Sequence, residues 1–351
     1  MTQVRLTPWS LAGACFVGTL CMTPISLARA LIASAGPGTT LWMVLAGLVG
    51  MLGGYLNIRL LDAPLASWAA RSRHLLGYAR ALFYAAGAPL MLNVWATVLG
   101  GEQLELTPRL AVALLAVTVV VYVLRLGVES ALRLVGLIAL IAAPTVYLLL
   151  SISLLHADPA RLLPHPLGTG SIPSLWPSFL FLARGFDVLP PLAPYVAPAA
   201  RRVAYVGIGV GSIAALLAVV IPVLVWGYPA ASQLPHPLLY SIGTFSSAYV
   251  PLQRVEFLSF IAWQLTAVGV VLLYTISLLI SLRVQVHPLT PWWAVLVAAG
   301  ITLAGSLPVL PTDLVASVEN VWSYYGLLLF IVLPAAMLVL GRASAQAVPA
   351  T

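Results

Sequence analysis

Apolar runs such as Leu110 to Leu124 and Ile213 to Val225 contain no charged residue and no alternation of apolar with polar positions. That pattern restricts the chain to one class of fold. Hydrocarbon cannot hydrogen-bond to exposed backbone, so runs of this length must close their own amide bonds, as helices or as a closed barrel. Barrel strands would alternate in short segments, whereas these runs are apolar on every side, which selects helices. Composition agrees: 62% of residues are hydrophobic and 7% charged, with a mean hydropathy of +1.05. The expected fold is therefore an all-α integral membrane protein.

The basic residues are all arginines, 16 against 9 acids, for a formal charge of +7. In a soluble protein this balance would suggest nucleic acid, but here the arginines sit in short loops between apolar runs, where they set membrane orientation. No nucleic-acid partner is expected. Cys15 and Cys21 lie six apart in one apolar stretch, too far around and along a helix to pair, and no disulfide framework or zinc site follows. Arg5, the apolar run after it and Ala33-Ser34-Ala35 imitate a secretory signal with its cleavage site. The run is longer than a signal core, so it is read as a retained first helix.

About 20 apolar residues cross the hydrocarbon as a helix, and on that measure the chain divides into about ten spans. The first five are Trp9 to Ala33, Thr40 to Leu61, Leu76 to Leu99, Leu110 to Leu124 and Leu132 to Leu155. The second five are Ser174 to Val196, Val203 to Trp226, Phe257 to Leu282, Trp292 to Leu310 and Val321 to Leu340. Charge tests this count independently of hydropathy. Arg5, Arg59, Arg71, Arg73, Arg80, Arg125, Arg133, Arg201, Arg202, Arg283 and Arg342 fall on one side with Asp62 and Glu129. Arg29, Arg109, Arg161 and Arg254 fall on the other, with Glu102, Glu105, Asp158, Glu256, Asp313 and Glu319. The arginine-rich side is expected to be cytoplasmic, with both termini there.

Five spans per half is an odd number, so a second half resembling the first must be inverted relative to it. The expectation is one transmembrane domain over residues 1–351, with repeats at 1–157 and 158–342 and a short cytoplasmic tail at 343–351. Transporters built on inverted repeats hold their substrate at the midplane, where helices break and release backbone groups. Gly18 and Pro24 interrupt span 1, and Gly185 and Pro191 interrupt span 6 at the same spacing. Glycine and proline are also frequent in membrane helices without any site.

Arg184 and Asp187 stand near the middle of span 6, where a lone charge costs at least about 2.5 to 3.5 kcal/mol. Two readings are open. At a spacing of three they can meet on one helical face as a self-neutralising pair, or they can form part of a binding region with Gly185 and Phe186. An amino acid carries both an ammonium and a carboxylate, which suits helix-end amides, an arginine and an aspartate. Asn93 in span 3 and Gln264 in span 8 bring further polar groups into the bundle, as ligand contacts or as interhelical bonds. Gly18, Thr19 and Thr23 join the candidate set through their position at the first break, although threonines commonly bond back to their own helix.

The stretch Pro237 to Val250 places Leu238, Leu239, Ile242, Phe245 and Tyr249 on one helical face, as expected of a short helix lying on the outer surface. His156, His165, His236 and His287 occupy separate loops and His74 stands among arginines, so no metal spacing exists. Neither a phosphate loop nor a nucleophile motif is present, and no enzyme is expected.

Four stretches resemble the GerAB-type spore germination permeases of the amino acid/polyamine/organocation superfamily. Gly18 to Leu31, GTLCMTPISLARAL, looks like the broken first helix and its proline. LRLGVESALRLVGLIAL, from Leu124, is similar to the start of span 5 after a basic Gly-x-Glu turn. ARGFDVLPPLAPYV, from Ala183, resembles a Gly-Phe-Glu segment followed by proline. His236 to Trp263, HPLLYSIGTFSSAYVPLQRVEFLSFIAW, resembles the external helix and the Arg-x-(Asp/Glu) start of span 8. The chain departs in carrying Asp187 where Glu is usual and Arg184 where an aromatic precedes the glycine.

The resemblance implies a LeuT-like 5+5 inverted repeat with helices 1 and 6 broken. It implies a nutrient-sensing subunit of a germinant receptor in the spore inner membrane, beside A and C subunits, binding a small molecule such as an amino acid without a cofactor. The rival reading is a secondary amino-acid transporter coupled to a proton or sodium gradient.

Overall fold

The computed structural model describes residues 6–20, 28–63, 67–102, 108–162, 172–243, 255–284, 292–304 and 312–346. Among the described residues every regular element is a helix. The first half contains α1 (Pro8–Thr19), α2 (Ala28–Ala35), α3 (Thr39–Asp62), α4 (Ser67–Glu102), α5 (Arg109–Arg125) and α6 (Val128–Leu154). In the second half come α7 (Trp176–Leu180), α8 (Leu189–Leu192), α9 (Ala204–Trp226), α10 (Pro237–Gly243) and α11 (Val255–Ser281). They are followed by α12 (Trp292–Ala304), α13 (Thr312–Leu327), a π-helical segment Leu328–Val332 and α14 (Leu333–Gln346).

Six described helical stretches are long and apolar enough to cross a membrane: Ala28–Asp62, Leu75–Thr97, Val128–Leu154, Pro198–Trp226, Ile261–Ser281 and Ser317–Leu340. Trp292–Ala304 is a shorter apolar helix. Leu82, Leu115, Leu140, Val321 and Val339 stand exposed on outer faces. Such faces are costly in water and cost nothing against lipid tails, which are as apolar as leucine. The chain is an integral membrane protein.

The helix starts follow from local chemistry. Thr7 caps α1 by accepting from the Ser10 amide at 3.2 Å, and Pro8 occupies the first helical position, where its missing N–H costs nothing. Later prolines leave carbonyls without a donor. Pro334 cannot donate to the Phe330 carbonyl one turn earlier; the Asn57 side chain of α3 donates to it instead, at 2.8 Å.

Helix α1 lies in the centre, packed on α6, α9 and α11, while α4 and α11 form the longest pairing. Small residues permit this closeness. A Cβ at Gly207 of α9 would run into the Ala12 carbonyl of α1, so the two backbones touch where any larger residue would separate them.

Two expectations change. The last span was expected to begin at Val321, with Glu319 outside it. The helix instead begins at Thr312, and Glu319 is 1% exposed inside the bundle. Arg80, grouped with the loop arginines on charge alone, is likewise buried. Of the helix expected over Pro237 to Val250, Pro237–Gly243 is helical as α10, with Leu238 and Ile242 buried; Phe245 and Tyr249 lie outside the described residues.

Candidate functional site

Span 6 is discontinuous. Helix α7 stops at Leu180, residues 181–188 form turns with no helix, and α8 occupies only Leu189–Leu192. Pro190 and Pro191 account for the restart, because they start a helix readily and cannot continue one. Gly185 accounts for the break itself. A Cβ there would collide with the Cys15 carbonyl and the Thr19 hydroxyl of α1, so only glycine allows the interrupted backbone to lie against α1.

The end of α1 fits into this gap. Thr19 donates its hydroxyl to the Cys15 carbonyl at 2.8 Å and accepts from the Gly185 amide at 3.1 Å. One threonine thus back-bonds its own helix and satisfies a peptide group released by the break. A Cβ on Gly18 would sit 3.3 Å from the Gly185 Cα and 4.0 Å from Asp187 Oδ1. Gly18, Thr19, Gly185 and Asp187 therefore lie together. Helix α1 ends at Thr19 and the next described helix begins at Ala28; Thr23 and Pro24 lie outside the described residues.

The aspartate is wholly buried. Its Oδ2 accepts from the Tyr274 hydroxyl of α11 at 2.6 Å, and its backbone carbonyl accepts from the Tyr84 hydroxyl of α4 at 2.6 Å. Asp187 Oδ1, on the side of Gly18, has no hydrogen-bond partner. A buried carboxylate oxygen left in that state is costly, and a cationic or N–H-bearing ligand would remove the cost.

Arg184 turns elsewhere. Its Nη1 lies 3.6 Å from Glu319 Oε1 of α13, both side chains 1% exposed. Its Nη2 donates to the Met91 sulfur at 3.1 Å, and its guanidinium sits 4.7 Å from the Trp322 ring centroid. The carboxylate that neutralises Arg184 thus comes from the last span. The i, i+3 rule that would join Arg184 to Asp187 holds on a continuous helix, and the break at Gly185 removes that condition. Phe186 is a packing residue, edge-on to Phe181 at 5.6 Å and fully buried.

Asn93 and Gln264 occupy the α4–α11 pairing. Asn93 accepts from the Thr97 hydroxyl at 3.2 Å, and Gln264 Oε1 accepts from the Trp95 indole, while Gln264 Nε2 is buried without a partner. Among the described residues no cluster of histidine, cysteine and acidic side chains is suited to a metal ion.

Sequence reasoning missed Tyr84, Tyr274 and Glu319. A signal existed for the last of these: a buried Arg184 requires a carboxylate, and Glu319 is the acid nearest the start of span 10. The tyrosines carry none, because a tyrosine within an apolar run reads as packing.

Membrane-length helices, a buried span that breaks, and an arginine and an aspartate at the break define a polytopic membrane protein with a charged, interrupted centre. The family described as spore germination protein matches residues 6–303, most of the chain, and the chain belongs to that family. It is a family of membrane permeases rather than enzymes. No curated protein matches the chain.

Proposed function

We propose that this permease is the nutrient-sensing membrane subunit of a spore germinant receptor and binds a small amino acid at the break in span 6. The observation that carries the reading is the unpartnered Asp187 Oδ1 beside Gly18. An ammonium placed there completes the aspartate's hydrogen bonding, and the ligand carboxylate takes the Gly185 amide now held by Thr19. Because α1 and the break are in backbone contact, the ligand must separate them. It therefore favours a second arrangement of the bundle, which is what a sensor reports.

The proposal includes a LeuT-like 5+5 inverted repeat of ten spans with helices 1 and 6 broken, and termini on the cytoplasmic side of the spore inner membrane. The discontinuity of span 6 and the end of α1 at Thr19 support it. Companion A and C subunits would read the change.

The test is a binding screen of L-amino acids against the purified full chain in nanodiscs, followed by uptake into liposomes. Binding without uptake is expected, lost in Asp187→Asn and weakened in Thr19→Ala. Gradient-driven uptake would make the chain a proton- or sodium-coupled transporter. If no amino acid binds the folded wild type, or if Asp187→Asn binds as the wild type does, the reading fails.

A further inference from the structure

A second feature lies beyond α8, away from Gly18 and Gly185. A cavity of about 290 Å³ opens there between α3, α4, the prolines of α8 with the turn that follows, and the end of α11. Arg80 and Arg283 line it together with Asn57, Tyr195 and Ser281, and no acidic residue is among the described residues of its wall. Of the acids nearby in sequence, Asp62 is engaged by Arg201 and Asp187 accepts from Tyr274.

Arg80 is the telling residue. It is 8% exposed, and its described partners are neutral: Nη2 donates to Asn57 Oδ1 at 2.8 Å, and the guanidinium sits 5.0 Å from the Phe330 ring centroid. Its Nε is buried without a hydrogen-bond partner. Taking a cation out of water without a counter-charge is strongly unfavourable, and Asn57 is a neutral amide that cannot supply one; its nitrogen donates to the Gly53 and Phe330 carbonyls at 2.8 Å each. The arginine fork is the side chain best matched to planar and tetrahedral oxyanions.

We infer that this cavity is an anion site that takes a phosphate-class oxyanion, held by Arg80 from within and by Arg283, Ser281 and Tyr195 around the opening. The same chemistry is presented by free phosphate and by an anionic lipid headgroup. The site is separate from the amino-acid reading above and stands or falls without it.

Unfolding of the full chain in neutral detergent, titrated with inorganic phosphate against chloride at matched ionic strength, tests the inference. A saturable rise in Tm is expected. Arg80→Gln and Arg283→Gln should weaken the apparent affinity for phosphate at least about tenfold. Phosphate also stabilises proteins by exclusion from their surface, but that effect does not saturate and is unchanged by Arg283→Gln. Should Arg80→Gln fail to fold, Arg283→Gln and Ser281→Ala carry the test, because neither is part of the Asn57 network. A lipid source appears as a higher Tm in phosphatidylglycerol than in phosphatidylcholine nanodiscs, with no further response to phosphate. A free-ion source appears as a phosphate response in both. The inference is overturned if neither phosphate nor phosphatidylglycerol raises Tm above its control, or if folded Arg283→Gln and Ser281→Ala both respond as wild type.

Discussion

Replacing Glu319 by glutamine leaves Arg184 buried without its counter-charge while changing almost nothing in shape. The two side chains are each 1% exposed and 3.6 Å apart, so solvent cannot compensate. Removing one partner of such a pair costs about 3–5 kcal/mol, equivalent to between two and nearly four orders of magnitude in the folding equilibrium. The Trp322 face and the Met91 sulfur serve Arg184 in wild type and variant alike and so do not enter the difference. The net loss expected for Glu319→Gln is therefore about 3–5 kcal/mol. Arg184→Met should cost a similar amount by stranding Glu319. The double variant Arg184→Met with Glu319→Gln should recover most of it, because no uncompensated charge is then left in the core. Reversible unfolding in mixed micelles measures all three. Additivity of the singles within about 0.5 kcal/mol would show that the pair is not coupled, and the account of how Arg184 is tolerated in the membrane would be wrong.

Other perturbations read the remaining contacts. Gly185→Ala places a methyl group on the Cys15 carbonyl and the Thr19 hydroxyl, so α1 must move; in a Cys21→Ser background, maleimide labelling of the buried Cys15 should accelerate, and an unchanged rate would mean the break does not pack as described. Tyr274→Phe removes the donor to Asp187 Oδ2 and should lower stability by about 1–3 kcal/mol, whereas a wild-type Tm would place that bond outside the folded state. Asn57→Leu leaves the Phe330 carbonyl and the Arg80 guanidinium unserved together; its unfolding midpoint should fall below that of Asn57→Asp, which keeps an acceptor for Arg80, and the reverse order would contradict the network.

The fold class was legible because lipid imposes it: once runs such as Leu110 to Leu124 must close their own hydrogen bonds, helices follow from composition and length. The break in span 6 was legible for a similar reason, since Gly185 with Pro190 and Pro191 states locally that a helix cannot run through. The pairing of Arg184 was not. Its spacing from Asp187 is a local signal, and the local signal presupposed a helix that the adjacent glycine had already cancelled. Glu319, 135 positions away by subtraction of 184 from 319, was placed outside on charge counting, which treats an acid at a span end as a loop residue. Burial of Arg80 was hidden in the same way, because an arginine one turn inside a span expected to begin at Leu76 looks like its loop neighbours until Asn57 and Phe330 close over it.

The outcome of that misreading bears on mechanism. Had Arg184 and Asp187 paired with each other, the break would be electrically closed and no motion would change its charges. Instead each is tied to a different helix, Arg184 to α13 and Asp187 to α11 and α4, while Gly185 between them is held by Thr19 of α1. The backbone bond from Gly185 to Thr19 is the weakest of these ties, worth about 1 kcal/mol, against several for the buried ion pair. A ligand that displaced Thr19, as proposed above, would therefore free α1 first and leave the arginine anchored. On this argument Thr19→Ala should loosen α1 while sparing the Arg184–Glu319 pair, so Cys15 labelling should rise in Thr19→Ala with little change in the coupling energy between residues 184 and 319. A large fall in that coupling would mean that the two halves of the break move as one body.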